Sequence, residues 1–353
     1  MSFDLLKNMV SVPSFSREEE KVADYICSWL EDEGLPYKRV GNNILLHKGC
    51  DTEGAPSILL NSHIDTVKPS PKYTFDPFNP PHTSEKILGL GSNDAGGSVT
   101  AMLYTFKHFH QQNLPFDLGL ILSAEEECSG EGGIASLSDY ISENYDFAII
   151  GEPTSMRGAI GERGLLVLDG KATGKSGHAA RNEGINAIDI AIRDITRLQN
   201  FKFHKKSPSM GDIKLSVTQI NAGTQHNVVP DTCTFVVDIR TTEQYTSAEI
   251  WEMLQNVTES ELTPRRLTNR SSATPQGHIL LKALEICGID KFVSPTTSDW
   301  MKINIPAVKM GPGDSARSHQ ADEYIYINEI EEGVGRYISY INTIGDIIRN
   351  GKH

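Results

Sequence analysis

The sequence predicts an α/β fold in which one domain interrupts another. Three observations carry that reading: the apolar runs SILLN, LGLILSA and DFAIIG, the acidic residues and histidine that follow them, and a change of pattern from about residue 157. Runs of this length, rich in Ile, Leu and Val and without clean two-residue alternation, read as strands buried on both faces. In an open α/β sheet, residues just beyond the carboxyl ends of such strands meet in one crevice. Here the runs stop at His63 with Asp65, at Glu125 to Glu127, and at Glu152. Carboxylates gathered at the edge of a core repel and lose hydration unless protonated, paired with cations or bound to metal. Metal is the most economical explanation.

The elements follow in order. After SVPSF the chain reads as helix: Ser16 and Glu19 have capping-box spacing, and Val22, Ile26, Trp29 and Leu30 mark an apolar face. Strand-like NNILLH and SILLN come next, then a proline-rich stretch from Lys68 to His82 that reads as loop. GLGSNDAGGSVTAMLYTFKHF turns a glycine-rich segment into a helix with Asp94 near its start. Asp94 there suits either an N-cap or a carboxylate presented by a tightly bent backbone.

From about residue 157 the order becomes strand (Leu165 to Ala172), helix (Ile185 to Leu198), strand (Ile213 to Asn221), strand (Thr232 to Ile239), helix (Ser247 to Ser260) and a strand-like tail. This βαββαβ order predicts a ferredoxin-like unit. Elements of the first kind then resume, ending in IPAVKM and a helix carrying Ile330, Val334, Ile338 and Ile341. The expected division is therefore 1–156 with 270–353, interrupted by 157–269.

Composition narrows the partners. A net charge of −13 without a basic run disfavours nucleic acid and anionic membrane surfaces. No run of about eighteen apolar residues is present to span a bilayer, and MSFDLLKNMV lacks a secretory pattern, so a cytoplasmic address is expected. The five cysteines are scattered without CxxC spacing, which predicts free thiols and no thiolate zinc site.

A two-metal amidase needs a bridging carboxylate, further histidine and carboxylate ligands, and a carboxylate base. His63 is a candidate ligand, and Asp65 is placed to accept its other ring proton. The three glutamates follow a buried strand directly, whereas an ordinary acidic run lies in a polar loop. Arg163 in GERG and Arg240 in VVDIR are candidate partners for a substrate carboxylate, with Asn227 adding an amide hydrogen bond.

The segments LLKNMVSVPSFS, NSHIDTV, GLGSNDAGG, SAEEECSGEGG, IIGEPT, GKSGHAA, GTQHNVVPDTCTFVVDIR, TTSDW and GPGDSARSHQADE, in this order, resemble the co-catalytic zinc amidohydrolases. That family includes acetylornithine deacetylase, succinyl-diaminopimelate desuccinylase, aminoacylase and the carboxypeptidase G type, and the resemblance runs nearly end to end. It implies a zinc-peptidase-like three-layer domain with a mixed central sheet, and an inserted domain serving as lid and homodimer contact. It implies two Zn2+ per chain, with Co2+ or Mn2+ as substitutes: His63, Asp94 and Glu152 on one, Asp94, Glu127 and His319 on the other. Glu126 would be the general base, Asp65 the support of His63, and His178 the group that reaches the oxyanion. GHAARNEGINAI and SHQADEY look most like acetylornithine deacetylase, so N-acetyl-L-ornithine is the expected substrate and arginine biosynthesis the setting. An N-succinyl-ornithine or N-succinyl-diaminopimelate desuccinylase and a metallo-dipeptidase are the alternatives.

Departures from the pattern are specific. Glu125 stands where many members have Asp, so a one-residue slip would make Glu125 the base. SPTTSDW lacks a double glycine and brings bulky Trp300 to the expected pocket floor, while Arg181 replaces a small residue. Two rival readings fit less well. GKATGKS is one residue short of a phosphate-binding GxxxxGK[ST] loop, and GLGSND lacks the third glycine of GxGxxG. A binding module that kept the fold and lost its chemistry is disfavoured because every candidate ligand and Glu126 are present.

Overall fold

The computed structural model describes residues 3–351 other than Glu53 and Asn182. The chain forms two compact units: Met1–Ile160, Ala273–Phe292 and Ser298–His353 make the first, Gly161–Ser272 and Val293–Thr297 the second. The sequence reading had put SPTTSDW wholly in the first domain. Val293–Thr297 joins the second because the Ser294 carbonyl accepts the Arg163 N–H (3.2 Å).

In the first unit the sheet runs Tyr37–Val40, Asn43–Lys48, Asp117–Ser123, Ser57–His63, Phe147–Ile150, Ala307–Lys309. The last four strands are mutually parallel and the first two antiparallel, so the sheet is mixed. Side chains alternate between two cores. Ile58, Leu60, Leu118, Leu120 and Ile149 join helices Asp4–Val10, Glu20–Asp32, Gly97–His110, Ile279–Ile286 and Ile327–Arg349. Leu59, Ile121, Ala148 and Ile150 face Ile134, Leu137, Ile141 and Trp300 on the other side. Both faces are covered, which is why the strands read as continuous apolar runs. Trp300, 2% exposed, packs in that second core, so it does not form a pocket floor.

The amino-terminal prediction needs correction. The helix does span Glu20–Asp32, but Glu19 is its N-cap and no side chain caps it. Ser16 instead donates to Asp65, and buried Glu19 accepts the N–H groups of Arg17 and Glu125. Long-range partners outcompete the local box. The helix Asp4–Val10 was not anticipated.

The second unit has four antiparallel strands in the order Lys214–Ala222, Thr232–Arg240, Leu165–Thr173, Glu261–Pro264, with helices Ala187–Asn200 and Ser247–Gln255 between them in sequence. This is the ferredoxin-like order. Leu166, Leu168, Phe235, Val237, Ile190, Ile250 and Leu254 form its core. The phosphate-loop rival fails here, because GKAT is strand and Lys175 pairs with Ile185 in an antiparallel bridge.

The second helix ends at Gln255, short of the expected Ser260. Asp194, with no solvent exposure, accepts the N–H of Glu259 (3.0 Å) and the N–H and Oγ–H of Ser260 (both 2.7 Å), which fixes a turn where the helix would have continued. Burial opposes its ionisation, but these donors and Arg197 outweigh that and hold its pKa below the usual carboxylate value. Asp194→Asn removes the charge that these donors share and leaves Arg197 facing an amide NH2, and should destabilise the unit by about 1–3 kcal/mol at neutral pH, read as a lowered Tm. A lowered folded pKa stabilises above the unfolded pKa, so the gap between wild type and variant should narrow below about pH 4.

Candidate metal centre

Three of the four parallel strands of the first unit deliver a polar group at or just beyond the carboxyl end. Ser57–His63 ends on His63, Asp117–Ser123 leads into Glu125 to Glu127, and Phe147–Ile150 leads through Gly151 to Glu152. Asp65 organises the first two. Its Oδ1 and Oδ2 accept the N–H groups of Glu126 (3.0 Å) and Glu127 (3.1 Å), and Oδ2 also accepts the Ser16 hydroxyl (2.7 Å). The expected bond from His63 to the Asp65 carboxylate is only partly realised. Nδ1 lies 3.0 Å from the Asp65 carbonyl and 3.5 Å from its carboxylate, so the backbone holds the ring and the carboxylate mainly holds the glutamate turn. A proton on Nδ1 leaves Nε2 as the lone-pair donor.

The glutamate run does not act as a unit. Glu125 turns away from the ligands: Glu19 accepts its N–H, and its carboxylate accepts the Gly132 N–H (3.3 Å). A Cβ on Gly130 or Gly132 would meet that carboxylate, and one on Gly133 the Ala124 carbonyl. Glu127, by contrast, meets His319.

Asp94 lies in the turn Ser92–Gly96 before helix Gly97–His110, at φ −120° and ψ 96°, and the Asp94–Ala95 peptide is cis. It is no helix N-cap. Buried Glu323 accepts the N–H groups of Gly91 (3.1 Å), Asn93 (2.8 Å) and Asp94 (3.0 Å). Asn93 pairs both ways with the Asp314 backbone, donating to its carbonyl (3.1 Å) and accepting its N–H (3.0 Å). That tie joins the Asp94 turn to the loop carrying His319.

The result is two donor sets sharing one aspartate: His63, Asp94 and Glu152, and Asp94, Glu127 and His319, each with its ligating atoms within 4.8 Å of one another. Asp94 Oδ1 lies 3.2 Å from His63 Nε2, and Oδ2 lies 3.7 Å from His319 Nε2. Glu152 Oε1 is 3.9 Å from His63 Nε2, and both Glu127 oxygens are 3.0 Å from His319 Nε2. The aspartate thus presents one oxygen to each set.

Counting only the chain's own charges, the centre is frustrated. Burial and the charges of Asp94 and Glu127 push Glu152 up to about 8, despite His63 and Lys309. Burial drives Glu126 well above the ordinary carboxylate value, with Glu152, Asp299 and Glu127 adding to it against His63. The hydrogen bond to Glu127 raises His319 to about 9. Burial opposes a charge on His63, yet Asp65, Asp94 and Glu152 hold it well above its usual value. Divalent cations remove this mismatch, and imidazole nitrogen with carboxylate oxygen is the donor set of zinc and similar first-row ions. The residues fit such ions.

The remaining candidates lie in the second unit. Exposed His178 and Asn227 are neighbours: Val228 pairs with His178, and the Asn227 carbonyl accepts the Ala179 N–H (3.0 Å). His178 Nδ1 accepts the Ala180 N–H (3.1 Å), which puts the ring proton on Nε2. Arg163 and Arg240 line a cavity of about 420 Å³ with Lys214, Ser294 and Thr296. Arg163 donates to the carbonyls of Met210 and Asp212, and Arg240 grips both oxygens of Asp238, so each fork spends two of its five donors within the protein.

Sequence reasoning missed Glu19, Asn93, Asp299 and Glu323. Asp299 is buried against Ser123, and burial raises it to about 6. Asp299 and Glu323 stood inside TTSDW and SHQADE, but only the fold shows which backbone groups or hydroxyls they meet.

The curated relatives include acetylornithine deacetylase of Yersinia pseudotuberculosis, 26% identical over 380 residues covering 96% of each chain. A Peptidase M20 domain-containing protein of Schizosaccharomyces pombe is 26% identical over 348 residues, 94% of this chain and 82% of that one. Among solved structures, aminopeptidase PepT of Bacillus cereus superimposes with TM-score 0.76 at 18% identity over 97% of both chains. A dinuclear metal binding peptidase of Bacillus subtilis gives TM-score 0.72 at 17% identity, covering 98% of this chain and 97% of that one. Residues 59–343 match peptidase family M20/M25/M40, and the chain belongs to that family of hydrolases.

Proposed function

We propose that the chain is a two-metal amide hydrolase that removes the acyl group of an N-acylated amino acid, with N-acetyl-L-ornithine as substrate. The observation that carries it is the pair of donor sets joined by Asp94, with Glu126 beside them and assigned to neither. His63, Asp94 and Glu152 would hold one ion and Asp94, Glu127 and His319 the other, zinc being the expected metal. When bound, such ions supply Lewis acidity to the acyl carbonyl and acidify the attacking water.

The protein's own part is proton transfer and orientation. Glu126, its backbone pinned by Asp65, takes the proton of the attacking water and returns it to the leaving amine. His178, with its proton on Nε2, donates to the developing oxyanion. Asn227 and the cavity of Arg163, Lys214 and Arg240 are the proposed binders of substrate polar groups.

Relatives named acetylornithine deacetylase, matched over nearly the full length of both chains, favour ornithine. Fold neighbours named tripeptidase and carnosine dipeptidase favour a peptide instead. A panel of N-acetylornithine, N-succinylornithine, N-succinyl-diaminopimelate and simple dipeptides, ranked by kcat/KM, tests this; dipeptides in the lead would sink the deacetylase assignment. Homodimerisation through the second unit belongs to the same reading. Its outer strand Lys214–Ala222 has a sheet partner on one side only among the described residues, and Ile220 is 51% exposed.

Three outcomes are expected. Chelation should abolish turnover and Zn2+, Co2+ or Mn2+ restore it, with two ions per chain by elemental analysis. Glu126→Gln should lower kcat by about 10²–10⁴-fold with metal content unchanged. Ile220→Lys should shift a dimer to monomer in sedimentation; a wild type that is already monomeric refutes the interface.

A further inference from the structure

Asp94 must offer its two oxygens in different directions, so a small swing of its backbone would misdirect one of them. Within its own turn one backbone bond closes the ends, from the Gly96 N–H to the Gly91 carbonyl (2.9 Å), while the backbone departs from helical geometry at Asp94 and Ala95. The N–H of Asp94 itself is held by a distant carboxylate. Glu323, 2% exposed, takes the N–H of Asp94 itself and of Asn93 on Oε1, and that of Gly91 on Oε2. Its own carbonyl accepts the Gly89 N–H (2.9 Å), so backbone and side chain both hold the same turn. Glu323 follows His319 by four residues, and the Asn93 clasp on Asp314 fastens the other side of that loop.

We propose that Glu323 is a positioning residue that fixes the bridging posture of Asp94 against the His319 loop and thereby sets the affinity of both donor sets for divalent ions. The proposal rests on the two-metal reading above. Its physical basis is acceptor count: a carboxylate accepts on both oxygens, whereas a glutamine accepts on one and turns an NH2 toward the Gly91 N–H. The second set should suffer more, because His319 has a side chain 54% exposed and a backbone at φ 58°, whereas His63 is buried at a strand end.

The test is zinc titration of the full chain by calorimetry with a competing chelator, beside elemental analysis, for wild type, Glu323→Gln and Asp194→Asn. Glu323→Gln should bind both ions about 10–100-fold more weakly, the weaker site most, with kcat falling at limiting zinc and recovering partly in excess. Asp194→Asn removes a similar buried clamp in the second unit and should lower Tm with zinc affinity unchanged. Wild-type zinc affinity in Glu323→Gln, with or without a lower Tm, would overturn the proposal while leaving the two-metal reading intact. A wild type that binds no zinc overturns both. Should Glu323→Gln fail to fold, Glu323→Asp, which keeps the charge with a shorter reach, faces the same two readings.

Discussion

The carboxylates of Asp94, Glu126, Glu127 and Glu152 converge at the carboxyl ends of buried parallel strands, and like charges at that spacing in poor solvent cannot all ionise unaided. Much of the surrounding structure follows from keeping them there. Asp65 holds the turn of Glu126 and Glu127, Glu323 holds the turn of Asp94, and Glu19 holds the turn of Glu125. In each case one buried carboxylate is spent on backbone N–H groups. This positions the site's acids through their backbones and leaves their side-chain oxygens for other partners.

The arrangement divides labour between acidic side chains of identical type. Glu125, Glu126 and Glu127 are consecutive, yet one is enclosed by glycines, one is raised in pKa by burial, and one meets His319. Environment, not residue identity, sets the three apart. The second unit holds groups of a different sort: a histidine whose Nδ1 accepts a backbone N–H, and two guanidiniums that each spend two donors on neighbouring oxygens.

Some of this was legible in the chain, and particular residues show why the rest was not. His63, Asp94, Glu127, Glu152 and His319 could be nominated because strand ends and motif order place them, and the βαββαβ pattern located the second unit. Ser16 and Glu19 were misread because capping-box spacing is local, while their partners Asp65 and Glu125 are remote in sequence. Trp300 was misplaced because a bulky residue beside a motif is indistinguishable from a pocket wall until its face of the sheet is known. The helix was carried past Gln255 because Asp194, which stops it, belongs to another helix.

The amino-acid order alone determined which segments must be buried strands, where chemistry-bearing residues end them, and that one unit interrupts another, since these depend on short-range hydrophobic pattern. Only the tertiary structure decided that Asp94 faces two histidines at once, that the Glu125 carboxylate turns to Gly132 while Glu127 meets His319, and that Glu323 and Asp65 each accept several backbone N–H groups. Those assignments depend on hydrogen bonds between residues up to 232 positions apart, and no local spacing encodes them.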